Sequence, residues 1–220
     1  MDIKKRLMSA VTFMIAVFGS VSVLVAAVMV YMVGDYNKVL EYYAFPQGDI
    51  GKALYVTAEV RSSTRGIIGY ETQELIDVMK EQHETAIEKF DYYREIIRPT
   101  MVTKEGKACM EAIDQAWDAY IELDQEIVAL GATTDPERRK LAQERMIKEL
   151  APRYQDLDNA MRDLMDVNVE KGRIKQSKLQ TLEVIILVVI VVTISGMLSS
   201  AIKMASKIAK EIEEDIERLP

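Results

Sequence analysis

Two arginines, Arg61 and Arg65, stand four residues apart in the stretch VRSSTRGII. That spacing puts both guanidinium groups on one face of a helix. A guanidinium grips a carboxylate through two parallel, charge-assisted hydrogen bonds, so the pair can hold an anionic solute. The same two cations can instead belong to a salt-bridge lattice or to the seam with another helix. Thr57 and Thr64 fall on the same face by spacing.

The other chemically able residues are few. His83 is the only histidine and occupies an apolar seam position. It is a candidate proton switch or ligand contact, set against the plainer expectation of a half-buried, hydrogen-bonded core histidine. Lys80 stands three residues before it, where a di-iron bundle wants the glutamate of Glu-x-x-His. Cys109 is the only cysteine, which excludes an intrachain disulfide and a Cys-x-x-Cys-His haem attachment. It could join two chains in an oxidising compartment, or pack as a small buried hydrophobe, the preferred expectation. Trp117 with Tyr120, and Tyr92 with Tyr93, are expected in the core rather than in a cofactor pocket. Neither a metal nor a cofactor is expected. No Ser-His-Asp, Cys-His, Gly-rich phosphate loop or paired-carboxylate constellation emerges, so the chain is not expected to be an enzyme.

These residues must be positioned by helices that start and end in a membrane. Residues 7–33 contain no charged residue, and neither do residues 184–202. Runs of 27 and 19 residues suffice as helix to cross a hydrocarbon core of about 30 Å. The first run follows Lys4, Lys5 and Arg6 like a signal peptide, but it is far longer than such a core. It reads as an uncleaved anchor. Lys203, Lys207 and Lys210 flank the second run. Basic residues at both outer ends predict a cell-membrane protein with two spans and both termini cytoplasmic. The net charge of −7 sits mostly between the spans, and an acidic outer domain argues against nucleic acid as a partner.

Between the spans the apolar residues recur at three and four. Residues 73–98 give Ile76, Met79, His83, Ala86, Phe90, Tyr93 and Ile97. Residues 104–130 give Cys109, Ile113, Ala116, Tyr120, Leu123, Ile127 and Leu130, and the last helix runs from Ile147 through Leu150, Tyr154 and Met161 to Asn168. The first offers Ile50, Leu54, Thr57, Arg61, Thr64 and Ile68. Phe45-Pro46-Gln47-Gly48 is expected to interrupt that first helix, and Pro152 to kink the fourth. Thr103 and Asp135 are N-cap candidates, with Pro136 at the first helical position. The fold class is therefore all-α: an up-down-up-down four-helix bundle flanked by two transmembrane helices. The divisions are residues 1–6, the span 7–33, the outer bundle 34–183, the span 184–202 and a cytoplasmic linker helix from 203 to 220.

The arginine stretch, the ALGATTDPERRKLA turn and the ELAPRYQDLDNAMRDLMDVN segment between two spans resemble the four-helix-bundle sensory module of methyl-accepting chemotaxis proteins, the bacterial chemoreceptors. The resemblance covers nearly all of residues 1–205. It implies a homodimer in the lipid bilayer that detects a small extracellular solute, with cytoplasmic signalling components as partners. It also implies that first-helix arginines hold a ligand carboxylate at the dimer interface, with the fourth helix as the other wall. In amino-acid-sensing relatives three arginines are spaced five and then four apart. Arg61 and Arg65 match the last two positions, while Val56 stands at the first. Height along the bundle then brings Tyr154, Asp158 and Met161 opposite Arg61. Asp156 and Asp158 are also the expected partners if the arginines are structural. The methylation helices and signalling tip of such receptors lie outside these 220 residues. The sequence thus reads as part of a longer receptor or as a sensor without its own output. The same module serves histidine kinases and cyclases, the second reading; an interaction module read by a partner protein is the third.

Overall fold

Proline removes an N–H from a helix and clashes with the carbonyl one turn earlier, so Pro46 should interrupt the first bundle helix and Pro152 should kink the fourth. A computed structural model describes residues 3–217 and shows continuous helix at both, each proline following a π turn. Helix α1 (Ile3–Val39) passes through a π turn at Leu40–Ala44 into α2 (Phe45–Gly69). Within that turn the Phe45 N–H bonds back to the Leu40 carbonyl, five residues away. Pro46 leaves the Tyr42 carbonyl without its α-helical donor, and the Asn168 side chain supplies one, Nδ2 lying 3.2 Å from that oxygen. The fourth bundle helix repeats the device. Helix α5 (Pro136–Arg145) enters a π turn at Met146–Leu150 and continues as α6 (Ala151–Glu217), with Pro152 just inside α6. The predicted interruption at Phe45–Gly48 is therefore a widened turn, because one extra residue per turn accommodates the missing donor.

Helices α3 (Gln73–Ile97) and α4 (Lys104–Gly131) complete the bundle. Their ends follow local chemistry. The Thr103 hydroxyl accepts from the Gly106 N–H at 3.0 Å. Asp135 Oδ1 accepts from the Glu137 N–H at 2.9 Å, with Pro136 at the start of α5. Arg98-Pro99-Thr100 closes α3 in a 3₁₀ turn. Among the described residues there is no strand. Cross-links fix the direction of the first and last bundle helices. At one end Arg139 donates to the carbonyls of Ile68 and Gly69, at 3.1 and 2.7 Å. At the other, Asn168 meets Tyr42, so the two run antiparallel.

The core runs between the four helices through Ile50, Val60, Phe90, Tyr120, Leu157 and Leu164. One seam differs from expectation. Helix α4 buries Met110, Trp117, Asp124 and Gly131 with Ile113, Tyr120 and Ile127, whereas Cys109, Ala116, Leu123 and Leu130 lie to its side. Both registers share Ile113, Tyr120 and Ile127; the chain takes the one that buries its largest side chain, Trp117, against Phe90, with ring centroids 4.2 Å apart. Ile147, the expected start of the last seam, is exposed.

The bundle, Lys38–Lys175, is one compact unit; Met1–Asn37 with Gln176–Pro220 is the other. The second unit is apolar on its outside, with Phe13, Val23, Val30 and Val192 all strongly exposed. Hydroxyls within its helices return to their own backbone. Ser20 donates to the Ala16 carbonyl, Thr193 to Val189 and Ser200 to Gly196, each at 2.8–2.9 Å. Such bonds satisfy polar groups that hydrocarbon cannot. Each of the chain's two long helical stretches contains a segment long and apolar enough to cross a membrane.

Candidate functional site

Arg61 lies with its guanidinium over the ring of Tyr154, 4.3 Å from the centroid. This joins α2 to α6 by a cation–π contact. Arg65, one turn on, is exposed. The two arginines and Thr64 form one wall of a cleft of about 180 Å³. Tyr120 of α4 forms its floor. Met146, Ile147 and Leu150 form the opposite wall, followed by Ala151 and Tyr154. That wall is the π turn itself, so the widened turn before Pro152 shapes the opening opposite the arginines. The cleft is therefore cationic on one side and apolar on the other.

Beneath it lies a buried polar cluster. Asp124 is wholly inaccessible. Its Oδ2 lies 2.6 Å from His83 Nε2, and its Oδ1 accepts from the Thr64 hydroxyl at 2.7 Å and from the Tyr120 hydroxyl at 3.5 Å. Burial pushes the Tyr120 phenol well above its ordinary range, and the Asp124 carboxylate adds to the rise. A buried carboxylate is tolerable when several donors meet it, and here α2, α3 and α4 each contribute one. Thr64 belongs to both layers: it lines the cleft and holds Asp124.

The structure thus brings together Arg61, Arg65, Thr64 and Tyr154. Three other candidates lie elsewhere. Thr57 is buried and donates to the Leu54 carbonyl at 2.8 Å. Met161 is in the core. Asp158 is held by Arg162, Nε to Oδ2 2.7 Å, and Asp156 lines a separate groove with Pro152 and Arg153. Neither arginine of the pair has an ion-pair partner among the described residues, so the expected partners Asp156 and Asp158 do not serve them. Val56 is buried in the core. His83 is buried rather than half-buried, and its hydrogen bond is to Asp124.

Sequence reading placed Tyr120 in the core, where it lies, but missed Asp124 and the π-turn wall. Asp124 follows Trp117 by seven residues, which is the signal that would have found it. The apolar Leu123 beside it drew the seam one residue aside. Among the described residues no cluster of His, Cys, Asp and Glu has the arrangement of a metal site.

Residues 1–183 match the family model described as a four helix bundle sensory module for signal transduction. Comparison with curated proteins and with solved structures returned no match.

Proposed function

Because the chain belongs to the family of four-helix-bundle sensory modules for signal transduction, we propose that it is the sensing part of a homodimeric transmembrane chemoreceptor and binds a small extracellular solute in the Arg61–Arg65 cleft. The carrying observation is the pair of guanidinium groups without an ion-pair partner among the described residues, set opposite an apolar wall. A guanidinium with free N–H donors is ready for a carboxylate. Arg61 is already oriented by Tyr154, so less ordering is required on binding.

In this reading both termini are cytoplasmic and the bundle stands outside the membrane. The basic residues flanking the two apolar stretches support that orientation. Tyr154 and the second apolar stretch lie on the same helix, α6. A solute that touches Arg61 and Tyr154 together favours one packing of α6 against α2. The response is a helix displacement of about 1–2 Å passed to cytoplasmic signalling components. Only a difference in affinity between the two packings can drive it. The chain performs no catalysis, and metal, cofactor and nucleic acid play no part.

The test is a thermal-unfolding screen of the full chain in lipid nanodiscs against organic acids, amino acids and aromatic acids, followed by isotherms on Arg61→Ala and Arg65→Ala. A saturable rise in unfolding temperature that both variants abolish is the expected result. An isotherm unchanged in both variants places binding elsewhere and sinks the proposal.

A further inference from the structure

The cleft and the buried cluster share two residues. Thr64 and Tyr120 both line the cleft, and both hydroxyls are directed to Asp124 Oδ1, at 2.7 and 3.5 Å. Asp124 therefore lies one hydroxyl away from the cleft, although it is itself inaccessible. Its other oxygen, Oδ2, meets His83 Nε2 at 2.6 Å. The groups gathered on this carboxylate with His83 of α3 are Thr64 from α2 and Tyr120 from α4. From α6, Tyr154 packs on Tyr120, ring centroids 6.1 Å apart, and carries the Arg61 guanidinium. Glu59 of α2, with Glu81 and Lys89 of α3, lines a separate groove.

From this shared floor we infer, on the reading of the cleft as the ligand site, that His83 is a proton switch for the charge of the cleft. The cleft holds an anionic solute more tightly when His83 is protonated, and its grip weakens as pH rises. The switch changes charge without changing the bond to Asp124. Imidazolium and neutral imidazole can both donate Nε2–H to an ionised carboxylate. With the ring protonated, the pair is neutral overall. When the ring gives its Nδ1 proton to solvent, the pair keeps a single negative charge. Inside the bundle that charge is weakly screened, and it lies beneath the guanidinium groups that must hold the solute. It offsets part of their attraction for an anion. Reciprocity then requires an anion in the cleft to favour protonation of His83.

The charge of the cleft can be read with a pair of reagents in place of the solute. In the full chain in nanodiscs, Ile147→Cys in a Cys109→Ala background places a single thiol at an exposed position of the cleft wall. Its reaction rates with an anionic methanethiosulfonate, the sulfonatoethyl reagent, and a cationic one, the trimethylammonium-ethyl reagent, are measured from about pH 5 to pH 9. The thiolate fraction is common to both and cancels in their ratio. The anionic-to-cationic ratio should fall by at least about three-fold as pH rises. His83 is the only histidine, so isotope-labelled histidine reports its ring titration directly by NMR, and the two midpoints should coincide. His83→Gln, whose amide can still donate to Asp124, should flatten the profile. A ratio that stays flat while the ring titrates, or a ring that does not titrate in this range, overturns the switch and leaves the cleft as the ligand site. A profile unchanged in His83→Gln overturns it as well, because another group then sets the pH dependence. A ratio that neither Arg61→Ala nor Arg65→Ala lowers at any pH removes the arginines as the source of the charge, and with them the reading of the cleft on which the switch rests.

Discussion

His83 Nε2 lies 2.6 Å from Asp124 Oδ2 inside the bundle, with the histidine on α3 and the carboxylate on α4. Neither side chain reaches water to any useful extent. Removing one member leaves the other's buried polar group without its partner, which costs about 1–3 kcal/mol, and more where the group left behind is charged. Asp124→Ala should therefore lower stability by that order, and Asp124→Asn by less, because an amide oxygen can still accept from Thr64. Replacing both, His83→Leu with Asp124→Leu, should cost less than the two single changes added together. Thermal unfolding followed by the fluorescence of Trp117, the only tryptophan, measures all five variants, the two single leucine changes included. Simple additivity would show that the two residues do not act as a pair.

Tyr120 sets a stability limit at high pH. Its folded-state value is raised, first by burial and then by the Asp124 carboxylate. The neutral phenol is thus favoured in the folded chain, while the unfolded chain ionises near its ordinary value of about 10. The stabilisation is complete below that value and is lost as pH rises from there towards the folded value. Between about pH 10 and pH 11 the unfolding temperature of the wild type should fall more steeply than that of Tyr120→Phe. Equal slopes would remove Tyr120 as the cause.

Gly131 is a closest-approach position. A Cβ built there would lie 2.8 Å from Ile68 Cγ1 and 2.9 Å from Ala142 Cβ. Both neighbours are core residues, so neither can swing aside. Gly131→Ala should destabilise by about 1–3 kcal/mol, the usual range for overpacking. Gly69, with open space around its Cα, is the control: the same substitution there meets no neighbour. An equal loss at both positions would argue that crowding is not the reason.

Cys109 should react slowly. Burial raises its thiol above the ordinary range, and Asp163 adds to this. Thiolate is the nucleophile, so a raised value means less of it at a given pH. Alkylation by iodoacetamide at pH 8 should run several-fold slower than with a free cysteine peptide, and should speed up in Asp163→Asn. A rate matching the peptide would contradict the shielding.

Sequence periodicity located the four bundle helices and their caps because apolar spacing and capping are local properties. The stacking of Arg61 on Tyr154 was half legible, since chain length from the two apolar stretches set their heights. The buried cluster was not. Asp124 looks like a solvated helix residue until Trp117 is known to face Phe90, and that choice depends on another helix. The seam on α4 was read one residue aside for the same reason. The π turns escaped because a proline announces a lost hydrogen bond but not whether the chain breaks or widens. The answer for Pro46 is Asn168, well over a hundred residues away in sequence.

That answer makes a prediction about two distant residues. Asn168 donates to the Tyr42 carbonyl, and Pro46 is the reason that carbonyl lacks a donor of its own. Asn168 is buried, and its Oδ1 has no partner among the described residues, so the side chain is held chiefly by its Nδ2 bond to Tyr42. Asn168→Ala should strand the carbonyl and cost about 1–3 kcal/mol. Pro46→Ala restores an N–H one turn from Tyr42 and allows the π turn at Leu40–Ala44 to relax to an α turn. In that background Asn168→Ala should cost less than half as much. Unfolding temperatures of the two single variants and the double variant decide it. A cost for Asn168→Ala that does not depend on residue 46 would mean that the asparagine serves packing between α2 and α6, not the carbonyl that proline leaves open.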